Sequence, residues 1–152
     1  MPDTIYVIFA IDDQVFAIAV PAVERVIRAA SPACPLDAPD LILGLINIGG
    51  DMIPLVNIRR QFGLVEKQLR VSDRMIIVRV SGYHAAFAVD EVIGVDFLQP
   101  EPAIDPDIIY PEMRRYISGM ATFENRTVFI YDIDTLIPPE TMEQAKQVIE
   151  TA

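Results

Sequence analysis

The chain has 152 residues, 52% of them hydrophobic and 22% charged, with a formal net charge of −10 and a sequence pI near 4.4. A surface this acidic repels phosphate backbones and anionic lipid, which excludes nucleic acid as an expected partner. No uninterrupted apolar stretch approaches the ~20 residues of a membrane span, and no basic region precedes an apolar core at Met1-Pro2-Asp3-Thr4, so the expected location is cytoplasmic, without direct membrane insertion.

Strands dominate the expected elements. Ile5 to Ile11 is a continuous apolar run rich in β-branched and aromatic residues; Asp12-Asp13 form a turn, and Val15 to Val20 resume the run as a hairpin. Neither run alternates cleanly, which predicts burial on both faces. Val23 to Ile27 is a further strand after Pro21, and Ala29 to Pro39 is a Pro- and Ala-rich connection. Residues 44–59, Gly-Leu-Ile-Asn-Ile-Gly-Gly-Asp-Met-Ile-Pro-Leu-Val-Asn-Ile-Arg, read as two apolar strands around a Gly49-Gly50 turn that supplies positive φ. Pro54 denies a ladder hydrogen bond, so its strand is expected at an edge or a bulge. Asn57 to Phe62 is a short helix with Asn57 as its cap and Gly63 as its stop, followed by a polar connection from Lys67 to Asp73.

The second half repeats this order. Arg74 to Val80, the turn Ser81-Gly82, Ala85 to Val89 and Val92 to Val95 are strands and turn; Gln99 to Pro111 is a Pro-rich loop. Ile117 to Phe123 and Thr127 to Tyr131 form a hairpin around Asn125-Arg126, and Asp132 to Ile137 is a short helix. Pro138-Pro139 lead into an amphipathic C-terminal helix over 139–152, with Met142, Ala145, Val148 and Ile149 on one face. Phe16-Ala17-Ile18 matches Phe87-Ala88-Val89 at a shift of 71, and Gly44–Phe62 matches Gly119–Ile137 without a gap at a shift of 75. The expected architecture is therefore mostly β: two pseudo-duplicated lobes, each supplying about five strands that could close as a small barrel.

The titratable residues offer little chemistry. Cys34 is the only cysteine and His84 the only histidine, which disfavours a disulfide, a His/Cys metal site and a Ser-His-Asp triad. His84, after Gly82-Tyr83, reads as a solvent-facing turn residue. Asp132 and Asp134 stand at i, i+2 and do not share a helix face; a cap and a solvated turn are the expected roles, and Asp90-Glu91 lies between two apolar strands. Gly44, Gly49 and Gly50 lack the trailing Gly-Lys-Ser/Thr of a phosphate loop. No cofactor, metal or catalysis is expected, and surface is what remains: strand edges that pair with another protein.

Residues 44–59 resemble the central signature of the CheW family of chemotaxis coupling proteins. Val20-Pro21-Ala22-Val23-Glu24-Arg25-Val26-Ile27 resembles the family strand before the long connection, and Ala88 to Val95 resembles its second-half counterpart. The resemblance covers roughly residues 4–138. It implies a single CheW-like domain of two five-stranded SH3-like barrels around a shared hydrophobic core, with lobes near 20–68 and 85–138 and strand exchange between them allowed. It implies a non-enzymatic adaptor that joins the regulatory domain of a chemotaxis histidine kinase to the cytoplasmic tip of chemoreceptors and is recruited to membrane receptor arrays. Val23, Gly44, Asn47 and Gly50 match family positions linked to partner contact, and Val89 and Val92 lie in the second-half counterpart. The family usually carries Arg directly before the turn glycine, where this chain has Gly49, and often Asp where it has Asn57; the first departure implies an altered partner preference, in chemotaxis or in another two-component pathway such as surface motility or development.

Overall fold

In a computed structural model of the chain, the described residues are 4–101 and 111–151. Ten strands form two five-stranded sheets. In chain order they are β1 (Ile5–Ile11), β2 (Gln14–Ala19), β3 (Val23–Arg28), β4 (Ile42–Ile48), β5 (Asp51–Val56), β6 (Arg74–Val80), β7 (Tyr83–Val89), β8 (Glu91–Phe97), β9 (Ile117–Phe123) and β10 (Arg126–Tyr131). The helices are α1 (Ile58–Gln61), α2 (Pro111–Arg114) and α3 (Pro139–Thr151), and 3-10 turns cover Val20–Ala22 and Ile133–Thr135. The part of the expected Pro-rich loop over 102–110 lies outside the described residues.

Sheet membership does not follow the chain. One sheet runs β8-β1-β2-β10-β9 and the other β3-β6-β7-β5-β4. Each sheet takes one hairpin from one half of the chain and three strands from the other, joined by short parallel pairings of β2 with β10 and of β7 with β5. Lobe bounds of 20–68 and 85–138 therefore cut across the sheets: β6 and β7 belong with β3–β5, and β1 and β2 with β8–β10. The crossings are short. Pro21 starts the 3-10 turn that turns the chain out of β2, and Asp90 alone links β7 to β8, its N–H donating to Ala10 O at 3.0 Å.

The duplication is visible in the registers. Ile48 pairs with Asp51 in one hairpin and Phe123 with Arg126 in its counterpart, a shift of 75. Gly49 and Gly50 have φ of 60° and 96°, and Glu124 and Asn125 have φ of 50° and 63°, so both turns are of the doubly left-handed type that matches strand twist. The second turn is Glu124-Asn125 rather than Asn125-Arg126. In the other hairpins Ile11 pairs with Gln14 and Val80 with Tyr83, a shift of 69. The match of Phe16-Ala17-Ile18 with Phe87-Ala88-Val89 is thus two residues out of register, an error that a period of two conceals because it preserves the face.

Among the described residues no ladder joins β3 to β4 or β8 to β9. A single bridge spans each gap: Ala33 and Leu45 exchange backbone hydrogen bonds of 2.8 and 2.7 Å, and Glu101 and Met120 exchange bonds of 2.8 and 3.0 Å. The residue preceding each bridge partner is a glycine for a steric reason. A Cβ on Gly44 would stand 2.5 Å from Ala33 O, and one on Gly119 would stand 2.7 Å from Glu101 O. Pro54 does not sit on an edge strand, since β5 lies between β7 and β4. The β5–β7 ladder begins one residue later, at Leu55, so the missing N–H breaks no rung on that side.

The core lies mostly between the sheets. Val7, Phe9, Phe16 and Phe129 from one sheet meet Ile76, Val78, Phe87 and Val89 from the other, with Phe62, the residue that ends α1, between them. Ring centroids of Phe9–Phe87, Phe16–Phe62 and Phe62–Tyr131 are 5.5, 5.1 and 5.2 Å apart, within the range of favourable aromatic pairs. Intervening residues of the same strands fill a second cluster inside each sheet: Tyr6 and Ile8 on β1, Met75 and Ile77 on β6. This double burial is why the strands read as unbroken apolar runs. α3 docks against the domain through buried Met142, Ala145 and Val148, with Ala145 reaching the central cluster. Gly44→Ala and Gly119→Ala are each expected to lower unfolding free energy by about 1–3 kcal/mol through overpacking against a backbone carbonyl, read as a lower urea midpoint; Gly94→Ala, where a Cβ meets nothing within 4 Å, is the control.

Candidate protein-interaction surface

The signature hairpin β4–β5 projects its turn into solvent. Asn47, Gly49 and Gly50 are exposed, and the Asn47 side-chain oxygen accepts the Gly50 N–H at 2.9 Å. Asn47 thereby shapes the turn from inside it. A Cβ on Gly49 would meet nothing within 4 Å, and its counterpart Glu124 carries a side chain at a similar φ. The absence of Arg at Gly49 is therefore not imposed by space.

The other expected site residues divide. Val23 opens edge strand β3, and Val92 lies on edge strand β8; both are half-buried and pack on the central cluster. Gly44 and Val89 are buried, Val89 at 2% exposure. These two are in place to shape the surface from beneath and do not reach a partner in this conformation. The seven positions do not form one patch: Asn47, Gly49 and Gly50 mark a turn, whereas Val23 and Val92 belong to different sheets.

Edges supply the remaining exposed apolar area. Val95 and Phe97 on β8 are 61% and 59% exposed, and Ile5, the ladder partner of Phe97, is 37% exposed. Val26 on β3 and Leu43 on β4 also face solvent. Charged residues within two of these strands, Glu24, Arg25 and Arg28 on β3 and Glu91 and Asp96 on β8, are the sequence signal that sets them apart from the apolar core runs. Beside Val23, Glu24 is held by Arg79 at 3.2 Å and by the His84 Nε2 at 3.0 Å. His84 is accordingly not a turn residue; it is the second residue of β7, with its ring across the sheet from Glu24.

At the seam between the sheets, charge replaces apolar contact. Arg59, only 12% exposed, places Nη1 2.9 Å from Asp12 and Nη2 2.8 Å from Asp90. Lys67 adds a contact to Asp12 at 3.0 Å, Arg70 one to Asp90 at 3.4 Å, and the Asp12 N–H donates to Asp90 Oδ2 at 2.7 Å. Asp12 belongs to the β1–β2 turn and Asp90 to the β7–β8 crossing, so the network clasps the two sheets. The connection after α1 is drawn into it. Asn57 caps α1 by accepting the Arg60 N–H at 3.1 Å, and its Nδ2 donates to Glu66 at 2.6 Å. An Asp at this position would set two carboxylates against each other, which gives Asn57 a local reason. Asp132 caps its 3-10 turn by accepting the Asp134 N–H, as expected. Deeper in, buried Gln61 donates to Leu136 O at 2.9 Å and to Thr135 O at 3.2 Å and accepts from the Tyr131 hydroxyl. Burial pushes that hydroxyl's pKa well above its ordinary value, with Tyr116 and Asp132 adding to the shift.

Among the described residues no group of three or more His, Cys, Asp or Glu is placed to hold a metal ion, and no helix is long and apolar enough to cross a membrane. Partial burial raises the Asp12 pKa, and hydrogen bonds from Lys67 and Arg59 with their positive charges outweigh it, leaving the carboxyl below its ordinary value. A depressed folded-state pKa contributes stability that is present above the unfolded value, near 3.9, and lost as pH falls through the folded value. Asp12→Asn is therefore expected to cost about 1 kcal/mol at pH 7, a figure limited by solvent screening. Paired denaturation curves check it: the deficit against the unsubstituted chain shrinks below about pH 4 and in high salt.

Residues 6–140 match the family model of the CheW-like domain. The chain is 29% identical over 141 residues to the "Chemotaxis protein CheW" of Rhizobium meliloti (strain 1021), covering 90% of this chain and 89% of that protein. It is 26% identical over 136 residues to the "Chemotaxis protein CheW" of Thermotoga maritima, with the same coverage of both chains. Its fold is similar to that of the scaffolding protein TtCheW from Thermoanaerobacter tengcongensis, a crystal structure matched with a TM-score of 0.79 at 24% identity over 93% of this chain and 91% of that one. With its matched domain extending over nearly the whole length and its fold shared, the chain belongs to the CheW-like domain family.

Proposed function

We propose that this protein is a non-enzymatic adaptor that couples chemoreceptors to a chemotaxis histidine kinase. The observation that carries the reading is the extent of the family match: the CheW-like domain model covers residues 6–140. Its mechanism is interface geometry. The exposed β4–β5 turn and the neighbouring edge strands offer unpaired backbone groups and apolar side chains to the kinase regulatory domain, a mode in which main-chain hydrogen bonds give affinity and side chains give specificity. The seam between the two sheets, near Val23 and Val92, receives the helical cytoplasmic tip of a receptor. The adaptor works in the cytoplasm and is recruited to receptor arrays through these contacts, with no cofactor.

A second reading keeps the fold and changes the partners: a CheW-like module in a non-chemotaxis two-component pathway. Gly49 favours it, because the position usually held by Arg has open space around a Cβ and yet carries no side chain. The test is binding of the purified chain to the host's kinase regulatory domains and receptor tips by calorimetry. The adaptor reading expects a complex with at least one of each; no binding to any of them removes it. Gly49→Arg is expected to remain folded, at a cost of about 1–2 kcal/mol for a left-handed residue bearing a Cβ, and to shift relative affinity among candidate kinases and receptors. Unchanged affinity for all of them sinks the altered-preference reading and leaves the coupling role standing.

A further inference from the structure

A separate feature lies where α3 meets the domain. The β6–β7 hairpin, the chain leaving the Ile133–Thr135 turn and the first turns of α3 enclose a crevice of about 280 Å³. Val80, Ala85, Ile137 and Met142 give it an apolar lining, and Tyr83 forms a wall. That wall is held in place: the Lys146 ammonium donates to the Tyr83 hydroxyl at 2.7 Å and lies 4.0 Å from the ring centroid, close enough for a cation–π contact. Asp134 and Glu143 also line the crevice and are exposed. Neither carboxylate accepts a hydrogen bond or forms an ion pair with a described residue. Lys146, near Glu143, offsets part of this charge, leaving the rim acidic by one unit.

Size and charge point to the occupant. The volume lies at the small end of the range of ligand pockets, about 300 to 1,000 Å³, and accommodates one large apolar side chain, leaving charge to select the occupant. Interfaces concentrate binding energy in such anchor pockets, ringed by groups that exclude water. The acidic rim favours a cation beside the anchor and disfavours an acidic segment. The crevice shares no residue with the signature hairpin, and the family match stops at residue 140, the second residue of α3. The α3 wall therefore lies largely beyond the matched domain.

We infer that this crevice docks a basic amphipathic segment of a partner protein, which inserts one Leu-, Met- or Phe-sized side chain against Tyr83 and Met142 and sets a Lys or Arg one helical turn away on Asp134 and Glu143. The site is independent of the coupling role and survives if that role fails.

The test uses the full chain with methyl-labelled Ile and Met, titrated with a short amphipathic Leu/Lys peptide and, as controls, a Leu/Glu peptide and octylammonium. Saturable shifts of the Ile137 and Met142 methyls with the Leu/Lys peptide alone are expected. The exposed double variant Asp134→Asn/Glu143→Gln, which leaves the packing intact, is expected to weaken binding about fivefold, the scale of two rim ion pairs. The inference is overturned by the absence of shifts up to millimolar peptide, by equal response to the Leu/Glu peptide, by unchanged affinity in the double variant, or by octylammonium binding where the peptide does not.

Discussion

The layer between the two sheets is the constraint on which the rest of this structure depends. Phe9 and Phe16 on one side and Phe87 on the other are fully buried, and Phe62, the residue that ends α1, packs among them. At about 25 cal/mol per Å² of apolar surface removed from water, each such ring contributes on the order of 1.5–3 kcal/mol. Most of that gain exists only when both sheets are present, because each ring is covered from both sides. Hairpin exchange makes the dependence topological as well: neither half of the chain can complete its sheet without the hairpin supplied by the other. The two sheets thus share one core, and Gln61, bonding from α1 to the carbonyls of Thr135 and Leu136, adds a satisfied polar contact inside the layer.

A core this extensive leaves function to the periphery. Strands buried on both faces do not present side chains to solvent, so the exposed side chains fall on turns and edge strands. The Arg59 clasp belongs to that seam. It closes the side where the β1–β2 turn meets the β7–β8 crossing, and it anchors the connection after α1 through Lys67 and Arg70. Opposite charges brought together from segments far apart in the chain hold the relative position of the two sheets, and with it the geometry that any partner spanning both must meet.

Much of this was legible in the chain. The strands, the Gly49-Gly50 turn, the Asn57 and Asp132 caps and the pairing of Gly44 with Gly119 all follow from local rules: hydrophobic runs, positive φ and capping oxygens. The signature resemblance led to the same fold. Other features were hidden for physical reasons. The shift of 71 was wrong because a strand has period two, and composition on one face does not distinguish registers two residues apart. Val89 and Gly44 match partner-contact positions by motif, yet Val89 is buried in the central cluster and the Gly44 hydrogen atom makes room for the Ala33 carbonyl. Pro54 suggested an edge, because a sequence does not show how many residues of a neighbouring strand pair with it.

The sequence by itself determined a mostly β chain of two similar halves and an acidic net charge, since these rest on composition, spacing and local backbone preference. Tertiary structure alone decided which hairpin completes which sheet, that Asp12, Arg59 and Asp90 share one clasp, and that α3 covers the domain and leaves a crevice beside Tyr83. Those outcomes depend on contacts between residues tens of positions apart, and their free energy appears only once the shared core brings the segments together.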